Sequence, residues 1–405
     1  MNAPTLDYEI DYTDDRMVRL LLSRLIEPED QLFAQLREHA PPAVLLRAIV
    51  RGQPPPPPEW PERLAARFTA RRPGLWLRLA HADPDADLAD GTAADARFLI
   101  PGDKGWPRAL DDLGARAPFG VWLIGALPPK APAVAMVGAR ACTGYGNQAA
   151  GQLAAELARV GTIVVSGAAL GVDGAAHRGA LAVGGHTVAV LACGIDRSYP
   201  ATHATLIQAI GQRGAVLAEL PPGAAPTRFR FLARNRLIAA LGLATVVVEA
   251  AGRSGSLVTA RLAADLGRAV FAVPGPVTSR QSTGTNQLLC DGAIPAVDGR
   301  QILAELGLEP PPAPDPATIA TSPAALNAAS ACPSEASAAA PPALVLDPFT
   351  VLVREALPTE RSGRAAEVLE LAVETGLEPQ RVLAALGLLA ACGQAAKTGN
   401  GWALR

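Results

Sequence analysis

Apolar positions between Arg16 and Val50 recur at helical spacing and are interrupted at Glu27-Pro28 and Pro41-Pro42, which predicts three short helices. Beyond the QPPPPPEWP stretch at 53–61, a further helical pattern runs near 61–80. Arg97–Pro101 and the FGVWLIG run at 119–125 then read as strands, with a short helix at Trp106–Leu113 between them. From 131 onward the rhythm changes. Apolar, β-rich runs at Val134–Val137, Thr162–Val165, Thr187–Leu191, Ala215–Leu217, Thr245–Val248 and Ala269–Val273 alternate with helical stretches at 146–160, 172–183, 201–212, 234–241 and 256–266. Strands that are apolar on both faces, joined by crossover helices, predict an α/β fold: a Rossmann-like, doubly wound, mostly parallel sheet. Residues 310–348 hold no aromatic and no basic residue and are dense in Pro, Ala and Ser, so they read as a disordered linker. Helical patterns at 349–357, 363–375 and 378–391, followed by a Gly-bearing hairpin, form a winged-helix pattern. The predicted plan is a helical domain at 1–95, a Rossmann-like domain at 96–309 with 96–130 as its N-terminal extension, the linker, and a winged helix at 349–405.

Charge sharpens this plan. Lys and Arg total 36 against 38 Asp and Glu, a net charge of −2 that excludes a chain basic throughout. Resolved by segment the balance is −3 over 1–130, +6 over 131–300, −5 over 301–348 and 0 over 349–405, so the positive charge sits in the α/β domain. Five cysteines lie far apart with no CxxC or Cys/His ligand spacing, which points away from zinc sites and disulfide frameworks and toward reduced, mostly buried thiols. The acidic N-terminus lacks a signal-peptide pattern and no run of ~18 apolar residues exists, so a soluble, cytoplasmic protein without a membrane partner is expected.

Four segments carry candidate chemistry. The first βα turn, Val137-Gly138-Ala139-Arg140-Ala141-Cys142-Thr143-Gly144-Tyr145-Gly146, places glycines where amides meet an anion at a helix start. It is not GxGxxG, and the second strand ends in Ser166-Gly167 rather than a ribose-binding acid, so a dinucleotide is not indicated. Ser166 through His177 (SGAALGVDGAAH) can form a phosphate nest, with Asp173 as cap or dipole partner and His177 as a structural histidine. The stretch Thr227 to Arg236 (TRFRFLARNR) interleaves four arginines with two phenylalanines, which suits single-stranded nucleic acid: guanidinium forks pair with phosphates while a ring stacks on any base. Finally, Ser254 to Ser256 follow a strand and open a helix, where they can bind phosphate or cap. No Walker sequence and no nucleophile–base pair is present.

In order, VGARACTGYG, SGAALGVDGAAH, TVAVLACGIDRSYPATH, AELPPG, FLARNRLIAAL, VVVEAAGRSGSLVTA, GRAVFAVPGP and GTNQLLCDGA resemble the DNA-processing protein A family (DprA, also called Smf), with order and spacing intact over about 131–300. The resemblance implies a non-enzymatic protein of natural transformation that binds incoming single-stranded DNA, dimerises, protects the strand and loads the RecA recombinase, with no cofactor and no metal. It also implies a SAM- or helix-hairpin-helix-like character for the N-terminal helices. On this resemblance the DNA-binding residues are Gly138, Arg140, Ser166, Gly167, Arg228, Phe231, Arg234, Asn235, Arg236, Ser254, Gly255 and Ser256. Phe231 stacks on a base, and Arg140, Arg228, Arg234 and Arg236 hold phosphates. Leu288, Leu289 and Ile294 mark a dimer surface. Departures from the family pattern are Ala139, Leu170 and Leu232, which stand where Ser, Arg and Pro are usual. The competing reading is a nucleotide-processing hydrolase with Glu249 as base and the 166–173 and 254–256 loops on phosphate.

Overall fold

The computed structural model describes residues 10–51, 60–128, 131–308, 350, 353–354, 356–358, 365–375, 377, 379–398 and 401–404. The chain divides into two compact units, 1–311 and 312–405. In the first, five helices precede the sheet: α1 (Asp15–Leu25), α2 (Gln31–Arg37), α3 (Pro42–Arg51), α4 (Glu62–Ala80) and α5 (Pro84–Ala93). The two proline-marked breaks fall where the pattern placed them. Asp14 and Asp30 cap α1 and α2, each accepting two main-chain amides. The helix α5 was not visible as a pattern because only Pro84, Asp87 and Gly91 are buried on it; Asp83 caps it and Pro84 opens it.

The sheet follows: β1 (Arg97–Leu99), β2 (Val121–Gly125), β3 (Ala133–Val137), α6 (Gly144–Arg159), β4 (Ile163–Ser166), α7 (Val172–Ala182), β5 (Thr187–Leu191), α8 (Ala204–Arg213), β6 (Ala215–Ala218), α9 (Arg228–Leu241), β7 (Ala244–Val247), α10 (Gly255–Asp265), β8 (Ala269–Ala272), α11 (Thr283–Cys290), β9 (Ile294–Pro295) and α12 (Gly299–Glu305). Strand order is β1-β2-β6-β5-β4-β3-β7-β8-β9. The β1–β2 and β2–β6 pairs are antiparallel and all other pairs parallel, so the 96–130 extension adds an antiparallel margin to a parallel sheet. Side chains of β3 alternate between faces: Ala135 and Val137 pack with Leu237, Ile238 and Ala260, Val134 and Met136 with Leu153, Leu157 and Val172. The helices of 1–95 are not detached from the sheet, because Leu20 of α1 shares a core with Phe98, Trp122, Ile207 and Ile210.

The largest difference from the predicted elements is α9, which begins at Arg228 rather than 234. Thr227 caps it by accepting the Arg230 amide at 3.3 Å, and no Gly or Pro interrupts the run to Leu241. The Arg/Phe segment is therefore the first two turns of a helix. Of the four described cysteines only Cys193 is buried; Cys142 and Cys392 are half-exposed and Cys290 is exposed, against the expectation of mostly buried thiols. The second unit contains α13 (Val368–Thr375), α14 (Pro379–Ala391) and the antiparallel pair β10 (Ala395–Thr398) and β11 (Gly401–Leu404). The expected linker at 310–348 lies outside the described residues, as does part of the helix expected at 349–357. No helix of the described residues is long and apolar enough to cross a membrane.

Candidate nucleic-acid interface

From β3 the chain winds one way through β4, β5 and β6, then returns through α9 to place β7 on the other side of β3. The carboxyl edge at this reversal is where open α/β sheets form a ligand crevice. The β3–α6, β4–α7 and β7–α10 loops and the N-terminus of α9 all lie there, and each candidate residue belongs to one of them.

Two of the loops at this edge, β3–α6 and β4–α7, are filled by the protein's own carboxylates. Glu249, 2% exposed, accepts the Thr143 amide at 2.8 Å and the Thr143 hydroxyl at 2.6 Å, and Thr143 in turn caps α6. It fills the place an anion would take, and a Cβ on Gly146 would collide with it. Asp173 accepts the amides of Gly167 (3.1 Å) and Ala169 (3.4 Å), so the presumed phosphate nest is already occupied. Ser166, fully buried, donates its hydroxyl to the Met136 carbonyl at 2.6 Å. Gly138 and Gly167 are packing glycines: a Cβ on the first would meet Val172, and on the second the Arg234 guanidinium. Ser166 and Gly167 have their donors taken within the protein, which corrects the phosphate roles expected for them, while Gly138 packs against Val172.

Arg234 and Arg236 are corrected in the same way. Arg234 is 6% exposed and donates to the Gly167 carbonyl at 2.8 Å and to the Val190 carbonyl. Burial lowers its guanidinium to about 10, and Asp173 offsets part of that. Arg236, 2% exposed, is bidentate to Glu219 at 2.7 Å, pairs with Glu29 at 3.0 Å and donates to the Arg116 carbonyl at 2.9 Å. The Arg236 guanidinium is fully engaged, whereas Arg234 is buried with Nη1 held by two carbonyls and Nε without a partner. Both lie in the stretch of α9 from Ala233 to Leu241 that is buried on every side of the helix.

The helical period turns Arg228, Phe231 and Asn235 to one face. Arg228 is exposed. The Arg140 guanidinium lies 4.4 Å above the Phe231 ring, and Tyr199 packs tilted against that ring at 5.5 Å. Asn235 donates to the Gly255 carbonyl at 3.3 Å and so ties α9 to the start of α10. The start of α10 is open. Ser254 occupies the cap position without bonding the helix, and its buried hydroxyl has no partner. Gly255 is exposed beside it and Ser256 is buried in the first turn. Arg140, Arg228, Phe231, Asn235, Ser254, Gly255 and Ser256 thus converge on one edge carrying cations, a ring and an uncapped helix dipole.

Three members of this edge stand outside the DNA-binding residues expected from the sequence. Phe229 is 51% exposed between Arg228 and Arg230. Tyr199 supports Phe231, and exposed Arg253 precedes Ser254. Arg230 differs from its neighbours, being bidentate to Glu27 at 2.9 and 2.8 Å. Gly171, at φ 74°, seats the Arg140 loop: a Cβ there would collide with the carbonyls of Ala139 and Arg140.

Beneath the edge, Ala168 adopts a left-handed backbone at φ 55° and is held from both sides. Its amide donates to His177 Nε2 at 3.3 Å, and its carbonyl accepts from His203 Nδ1 at 2.9 Å. His177 Nδ1 donates to Thr187 Oγ1 at 2.7 Å, so its structural role stands. Burial holds the His177 ring down to about 3, far below its ordinary 6.5. The folded state therefore refuses a proton that the unfolded chain takes up. Its contribution is complete above pH ~6.5 and is lost as pH falls toward 3, by up to about 4–5 kcal/mol. Denaturant melts from pH 7 to pH 4 are expected to show this loss. His177→Gln should flatten it, and an unchanged pH slope would contradict the assignment.

Among the described residues no group of three or more His, Cys, Asp or Glu is placed to hold a metal. The profile of the DNA recombination-mediator protein A family matches residues 97–307. A DNA processing protein DprA of Mycobacterium tuberculosis is 40% identical over 400 residues, which cover 93% of this chain and 95% of its own. The chain belongs to the DNA recombination-mediator protein A family. The X-ray structure of DNA processing protein A from Streptococcus pneumoniae is 31% identical with a TM-score of 0.58, covering 74% of this chain and 99% of its own. The Helicobacter pylori DNA processing protein A, described for its single-stranded DNA binding mode, is 34% identical with a TM-score of 0.47, covering 52% and 95%. A recombination mediator handles DNA and is not an enzyme, so the non-enzymatic reading of the sequence stands.

Proposed function

We propose that this member of the family is a single-stranded-DNA-binding recombination mediator of natural transformation, which protects incoming DNA in the cytoplasm and loads the RecA recombinase. The observation that carries the DNA-binding part is the open start of α10. Its cap hydroxyl is buried without a partner, while the β3–α6 and β4–α7 loops beside it are filled by the carboxylates of Glu249 and Asp173. Arg140 and Arg228 flank that opening as phosphate cations, and Phe231, held under Arg140, offers its remaining surface to a base. The contacts are to backbone and ring faces, so binding is independent of sequence.

The hydrolase alternative loses its base, because both Glu249 oxygens are engaged by Thr143. A homodimer remains part of the proposal. Leu288 and Ile294 are half-buried against opposite faces of the sheet, so they do not form one continuous patch, and Leu289 is half-exposed on α11. A gel shift with single- and double-stranded oligonucleotides, beside incubation with nucleoside monophosphates, tests the reading. A shifted single strand with no base or phosphate released is expected. No shift, or turnover at catalytic rates, overturns it.

A further inference from the structure

The helix α4 carries charge that its own folding does not explain. It buries Leu64, Phe68, Leu75 and Leu79, while Arg63, Arg67, Arg71 and Arg78 are exposed. At 100° per residue those four arginines fall within an arc of about 80°, as a stripe about 22 Å long. Arg63/Arg67 and Arg67/Arg71 are like charges at i,i+4, which disfavours a helix, and Arg63 stands at the positive end of the dipole. Glu62 is the helix's single acidic residue.

Partners elsewhere offset little of this. Arg71 pairs with Asp30 at 2.6 Å, Arg67 donates to neutral Gln35 at 3.2 Å, and Arg78 donates to the Leu25 carbonyl at 2.9 Å. Arg63 has no partner among the described residues.

The stripe leads toward the DNA edge. Arg78 bonds the last residue of α1, and two residues on Glu27 grips Arg230 in the first turn of α9, beside Arg228. Arg78 also helps Arg230 hold the Glu27 carboxyl below its ordinary range, so the two cations share one field. The Glu27–Arg230 pair is partly open to solvent, with side chains 33% and 18% exposed, and lies where the two cationic surfaces meet.

We infer that α4 is a second phosphate track, along which the backbone of a single strand continues from Arg228 past Arg230 and Arg78 to Arg71, Arg67 and Arg63. This rests on the single-strand reading of the sheet edge and extends it into the N-terminal helices. The ligand is the sugar-phosphate backbone alone, because both aromatics of α4 are withdrawn: Phe68 is fully buried and Trp76 is partly buried and covered by Arg72.

The track predicts a dependence on strand length. Oligo-dT of about 6 nucleotides reaches only the sheet edge, while one of about 30 covers both surfaces, given site sizes of about 4–16 nucleotides for such binders. The Arg63→Gln, Arg67→Gln double variant removes two exposed cations that hold no ion pair, and a thermal melt verifies its fold. Its affinity for the long oligonucleotide is expected to fall about 3–10-fold at low salt, with the log–log salt slope flattened by about 1.4, while short-oligonucleotide binding is unchanged. Unchanged long-strand affinity and slope overturn the track, as does an equal loss on both lengths. Failure of the wild-type protein to bind even the short strand instead overturns the reading on which the track rests.

Discussion

Arg236→Ala is expected to destabilise the fold by about 3–5 kcal/mol, the cost of breaking a buried ion pair from one side. The guanidinium is 2% exposed, and its loss strands the Glu219 carboxylate, itself 12% exposed. It also releases Glu29 and the Arg116 and Ala233 carbonyls, which join the α1–α2 turn to the sheet domain. Urea denaturation is the measurement. Replacing both partners, Arg236→Met with Glu219→Leu, should recover most of the loss because no buried charge is left unpaired. The folded fraction of either variant should bind single-stranded DNA as the wild type does. An Arg236→Ala protein of normal stability that fails to bind DNA would return this residue to the phosphate role its motif suggested.

The Arg140→Ala, Arg228→Ala variant should show the reverse pattern: near-normal stability with single-strand affinity lowered by about 10–100-fold at constant salt. Arg228 is exposed and Arg140 half-exposed, so removing them leaves no buried charge behind. Each is placed to donate to a phosphate, and Arg140 also covers the Phe231 ring at 4.4 Å. Its removal bares that ring, so a part of the loss is returned through stacking. The reduction is therefore less than two independent contacts would predict.

The sheet was legible because its strands are apolar on both faces and short turns separate them from helices. All six predicted parallel strands from Val134 to Val273 overlap β3 to β8, with ends displaced by a residue or two. β9, two residues ending in proline, and α12, seven residues long, leave too short a pattern to see. At the site, residue types were legible and their directions were not. Arg228, Arg234 and Arg236 look alike in a motif, yet the first stands exposed at the start of α9 and the other two lie in the stretch of that helix that is buried on every side. The closure of α6 by Glu249 joins positions 106 apart in sequence, beyond the reach of any local pattern. Gly138 and Gly167 illustrate the same limit. A phosphate-binding glycine and a glycine that admits Val172 or Arg234 are indistinguishable until the neighbouring element is placed.

The central claim is that phosphates of a single strand sit at the open start of α10 between Arg140 and Arg228. Its most direct test is the salt dependence of oligo-dT binding, measured for the wild type and the double variant over the same series. For the wild type the account predicts a straight log–log line with a slope of about −0.7 per phosphate neutralised, and for the variant a line shallower by about 1.4. Superimposable lines of equal affinity would contradict it.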